Sequence, residues 1–133
     1  MTVTPIYAAV LALFYVVLSF RVIGVRRGER ISLGDGGNRM LLRRQRVHGN
    51  FAEYVPFALV LMMLAELQGT ARPLLHAMGM ALVLGRVLHA IGVGSEPDRL
   101  PLRVSGMVLT IAVLVTGAVV NLASGGGLAV LGR

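Results

Sequence analysis

The sequence predicts an all-α fold: an integral membrane four-helix bundle. Three observations point to it. Apolar residues make up 56% of the 133 positions and charged ones only 14%, with mean hydropathy +0.77, whereas soluble domains carry about a quarter charged residues. Four spans of about 20–22 residues with short connections use nearly the whole chain and leave no separate soluble domain. The apolar run 55–65 of the second is by itself shorter than the roughly 20 residues that cross a bilayer. The thirteen basic residues, all arginine, sort by connection. Eight lie between Arg21 and Arg46, and Arg86, Arg99 and Arg103 join them on one side, against Arg72 and Arg133 on the other. The positive-inside rule then puts the first and third connections in the cytoplasm and both termini outside it.

Taken in order, helix one is predicted over about 6–25, with Pro5 at its first turn, where a missing N–H costs nothing. Met1–Pro5 lacks the charged region of a signal peptide, so this helix is expected to be retained. Tyr7 and Tyr15 fit either an interface or a packed seam. Arg21, Arg26, Arg27 and Arg30 suit a helix C-terminus and anionic headgroups. Ser32–Asn38 is turn-rich. Its glycines have neither a preceding strand nor a following Gly-Lys-Ser/Thr, so a loop is expected and not a phosphate cradle. Helix two is predicted over about 40–68, running through Pro56 and projecting beyond the roughly 30 Å hydrocarbon layer. Helix three is predicted over about 74–93, with Gly79, Gly85 and Gly92 as points of close helix approach. Helix four is predicted over about 102–123, stopped by Gly125–Gly127.

Composition also excludes. Without cysteine there is no disulfide, thiolate metal site or cysteine nucleophile, so any thiol chemistry needs a thiol carried in by a ligand. His48, His76 and His89 share no metal-ligand spacing, and no metal is expected. The net charge of +7 lacks the aromatic-interleaved patch of a nucleic-acid binder, so membrane orientation explains it and no nucleic-acid partner is expected.

The chemistry concentrates at the start of helix two. At about 100° per residue, Arg43, Arg46, Asn50, Glu53 and Tyr54 fall in one arc, while Phe51 and Val55 point the opposite way. Polar residues at membrane depth must face protein or water. Arginine forks match carboxylates, Asn50 donates and accepts, and Glu53 accepts from an ammonium. The arc therefore suits a zwitterionic ligand with more than one carboxylate. The competing reading makes Arg43, Arg44 and Arg46 a topological flank, with Glu53 paired to Arg46. For Arg86 the plain reading is snorkelling to the headgroups, and for His89 a hydrogen-bonded packing role.

These residues carry a resemblance. Arg46-Val-His-Gly-Asn50-Phe-Ala-Glu53-Tyr54-Val-Pro56 resembles the second-helix signature of the MAPEG family, membrane-associated proteins in eicosanoid and glutathione metabolism. Gly85-Arg86-Val-Leu-His89 resembles its third helix, and Pro101-Leu-Arg103 the start of its fourth. Gly34–Gly37 followed by His48-Gly-Asn50 resembles its small bacterial inner-membrane branch. The resemblance implies a homotrimer with glutathione, as bound co-substrate, between subunits. It implies glutathione contacts at Arg46, Asn50, Glu53 and Tyr54, with Arg86, His89 and Arg103 added from adjoining helices, and Arg43 beside them on the arc. Arg103 is the expected activator of the thiol, with Arg27, near the end of helix one, second. Val93 and Met107 stand where family enzymes often carry tyrosine. The implied function is a glutathione-dependent transferase or peroxidase acting on lipophilic electrophiles. A relative that binds lipid or a small ligand without chemistry is the alternative. A small multidrug exporter fits less well, because its membrane acid is expected alone in the first helix, whereas Glu53 lies in the second among arginines.

Overall fold

The computed structural model describes residues 1–131, with side chains through Gly125. The chain forms four helices, α1 (Thr4–Glu29), α2 (Arg39–Leu67), α3 (Arg72–Gly94) and α4 (Leu100–Leu131). All four are long and apolar enough to cross a membrane. Each begins and ends close to where the apolar periodicity places it, with α1 extended by about a turn toward Glu29. The large exception is α4. It passes through the glycine run predicted to stop it and continues to Leu131. Glycine inside a helix costs about 1 kcal/mol relative to alanine, but it does not remove a hydrogen bond as proline does.

The helix ends explain the connections. Asn38 caps α2, its side-chain oxygen accepting from Leu41 N at 3.0 Å. Arg30 closes α1 in a left-handed conformation (φ 55°), a position usually given to glycine. At the opposite end of the bundle, Glu66 of α2 accepts from Val3 N at 2.8 Å, Thr4 N at 2.7 Å and Thr2 N. Those are orphan N–H groups of the α1 N-terminus, so one carboxylate ties α1 to the far end of α2. Pro56 lies inside α2, which continues on both sides of it.

Among the described residues, α1 packs on α2 and α3, α4 packs on the same two helices, and α1 and α4 do not meet. The core is a seam of Leu11 and Leu18 from α1, Val47, Phe51, Val55, Ala58 and Met62 from α2, Met78 and Leu82 from α3, and Val113 from α4. Phe51 and Val55 are buried, as the opposite side of the polar arc should be. Both tyrosines of α1 belong to the seam. Tyr7 hydrogen bonds His76 Nδ1 at 2.9 Å, and Tyr15 stacks on His48 at 4.6 Å between ring centroids. Outward-facing Leu13, Phe20, Val108, Val119 and Leu122 are all more than half exposed. In water such a surface would aggregate, but against lipid tails it is the expected one.

Candidate functional site

At the arginine-rich end of the bundle a cleft of about 310 Å³ opens between α2, α3 and the start of α4. Arg43, Arg46, Asn50 and Glu53 line one wall, His89 and Val93 the second, and Arg103 the third. Glycines set the spacing. A methyl group on Gly85 would lie 2.9 Å from Gly106 O, and one on Gly106 would lie 2.6 Å from His89 N, so α3 and α4 touch backbone to backbone. Higher up, a methyl on Gly92 would come within 2.8 Å of Arg103 Cα. These contacts bring Arg103 over the cleft beside His89.

Arg86 is 2% exposed and does not reach the headgroups. The snorkelling reading is therefore overturned. The α3–α4 approach turns this side chain inward, where Nη1 donates to Asn50 Oδ1 at 2.7 Å and Nη2 reaches Met107 Sδ at 3.5 Å. Its Nε has no partner, and no carboxylate lies within ion-pair distance of it among the described residues. Arg86 thus stands behind the cleft wall and fixes the Asn50 amide with its carbonyl oxygen inward. That orientation turns the Asn50 NH2 toward the remaining space. His89, 5% exposed, lines the cleft, and its side chain makes no hydrogen bond among the described residues, so its packing does not involve the bonded histidine role.

Arg43, Arg44 and Arg46 of α2 separate in their partners. Arg44 lies on the far side and donates to Arg21 O at 2.9 Å. Arg43 donates to Val93 O at 3.0 Å and to Asp98, while Arg46 opens into the cleft. No ion pair joins Arg46 to Glu53 among the described residues, which removes that part of the flank reading. Arg46 and Glu53 are both exposed and make no ion pair among the described residues.

Besides Arg86, two further expected site residues do not line the cleft. Tyr54 is half-buried and not part of the lining. Its 100° offset from Glu53 turns it off the cleft-facing edge of α2. Arg27 is exposed on α1 beside Ile23, Arg26 and Arg30, because α1 and the start of α4 lie on opposite sides of the α2–α3 pair. Sequence reasoning in turn missed Arg39, Gln45 and Asp98 as lining residues. For Asp98 a signal existed, namely two acids in a short connection facing an arginine-rich helix start.

The description "MAPEG family" belongs to the family model that matches residues 4–123. The chain is 37% identical over 120 residues, 90% of each chain, to a protein of Escherichia coli (strain K12) named inner membrane protein YecN, and equally similar to its namesake in E. coli O6:H1.

Proposed function

Because this chain belongs to the MAPEG family, we propose that it is a glutathione-dependent membrane transferase or peroxidase acting on lipophilic electrophiles, with the cleft as its glutathione site. The observation that carries this reading is the convergence of Arg46, Asn50, Glu53, His89 and Arg103, from three helices, on one cleft whose Arg46 and Glu53 make no ion pair among the described residues. A γ-glutamyl peptide has two carboxylates for arginine forks and an ammonium for Glu53. The surrounding apolar faces would admit an electrophile from the bilayer. In conjugation the thiolate sulfur forms a bond to the electrophilic carbon, and the leaving group departs with the electron pair of the bond that breaks. The chain's own part is to bind, orient and stabilise the thiolate.

Calorimetric titration of glutathione into detergent-solubilised protein tests the site. Arg46→Lys should weaken binding by about tenfold, because an ammonium cannot reproduce a bidentate fork whose two charge-assisted bonds are worth roughly 1.5–3 kcal/mol each. Arg44→Lys should leave it within twofold. Equal losses in both would return the arginines to a topological role.

The polar edge of α2 that is unpaired in one chain supports a homotrimer, since ionisable groups at membrane depth are normally covered by protein or water. A neighbouring subunit is also the route by which Arg27 could approach a cleft. The same arginine asymmetry, with the name of the E. coli relative, supports an inner-membrane location with the cleft on the cytoplasmic side. Cysteines placed singly at Leu33 and Ala71 should then label from opposite faces, Leu33 from the cytoplasm. Labelling of Leu33 from outside and Ala71 from the cytoplasm would reverse the placement.

A further inference from the structure

The α3–α4 connection carries acids to the cleft mouth. Among the described residues its backbone is anchored at two points, Ser95 N to Ile91 O at 3.2 Å and Arg99 N to Gly92 O at 3.1 Å. Between those anchors, Glu96 and Asp98 are held by side-chain pairs. Glu96 bridges to Arg39 at 3.0 Å and approaches Arg43 at 4.0 Å. Asp98 does more. One carboxylate oxygen accepts from Arg43 Nη1 on α2, and the other accepts from Arg103 Nη1 on α4 at 3.1 Å. Asp98 thus occupies, on Arg43, the position an incoming ligand carboxylate would take, and holds Arg103 at the same time. The hydrogen bond from Arg43, with help from Arg103, holds the Asp98 carboxyl below its ordinary range, so it stays ionised throughout the neutral region.

Resting on the reading of the cleft as a carboxylate-binding site, we propose that Asp98 is an internal occupant of that site: a ligand carboxylate takes its place on Arg43, and Arg103 is released when Asp98 leaves. The unliganded cleft then offers a free fork at Arg46 alone, and Arg103 becomes available to a thiolate only after Asp98 has left it. Ligand capture and thiol activation are coupled through one short strap, Ser95–Arg99. The strap also sets specificity. A ligand with one carboxylate gains Arg46 and leaves the clasp closed, whereas a ligand with two gains Arg46 and can open it.

Two probes and one label test this. Glutarate, a simple dicarboxylate, and glutathione are titrated separately into wild type and Asp98→Asn in low-salt detergent solution. Asp98→Asn should bind glutarate about two- to fivefold more tightly, the size expected for a partly exposed ion pair, and the gain should shrink as salt is raised. A nitroxide on Ser95→Cys, with Asp98 retained, should become more mobile when glutarate is added, which gives a readout independent of whether Asp98→Asn folds. Unchanged or weaker glutarate binding by Asp98→Asn, a nitroxide indifferent to glutarate, or failure of both proteins to bind glutarate would each overturn the proposal. Glutarate bound with no glutathione binding would remove the glutathione reading and leave the role of Asp98 standing.

Discussion

In Arg103→Leu, glutathione held in the cleft should ionise at higher pH than in wild type, and conjugation of a lipophilic electrophile should slow about a hundredfold. A free thiol has a pKa of about 8.5, so only a few per cent is thiolate near neutrality. The chain has no cysteine, so in the proposed reaction the nucleophile is the ligand's own sulfur. A guanidinium aimed at that sulfur favours its charged form and lowers its pKa, so the thiolate band in the ultraviolet appears at lower pH than in solution. Removing the guanidinium reverses the sign, and the band moves up in pH. Binding should change little, because Arg46, Asn50 and Glu53 remain. Arg103 is the residue that α4 places at the cleft, while Arg27 of the same chain lies elsewhere. An unmoved thiolate titration in Arg103→Leu would take Arg103 out of the chemistry. Loss of binding with the titration intact would make it a ligand clamp.

Arg86→Ala should be the most destabilising single change in the cleft region, by roughly 2–5 kcal/mol, the range for truncating a large buried side chain. The buried guanidinium fills the space between α2 and α4 and supplies the donor for Asn50 Oδ1 at 2.7 Å. Truncation leaves a cavity and an unsatisfied amide oxygen together. Arg86→Met separates the two effects. It restores much of the volume, so the denaturation midpoint in mixed detergent should recover most of the loss. Glutathione affinity should stay depressed, because Asn50 is free to turn. Wild-type stability in Arg86→Ala, or wild-type affinity in Arg86→Met, would show that Arg86 does not position Asn50.

Four spans, their approximate limits and the arc of Arg43, Arg46, Asn50 and Glu53 were legible in the chain by itself. Apolar length and helical period are properties of neighbouring residues, and a bilayer leaves a helix as the only way to satisfy the backbone of a lone span. The fates of individual polar side chains were not legible. Arg86 turns inward instead of snorkelling, Arg27 stays away from the cleft, and Tyr54 lies off its edge, because each depends on how the helices rotate and how closely they approach. That approach is decided by glycine contacts between α3 and α4, where backbone meets backbone at Gly85 and Gly106. The pairing of Arg43 with Asp98 spans 55 positions along the chain. Local pattern can mark both residues as charged, but only packing of α2 against the end of α3 brings them into one hydrogen bond.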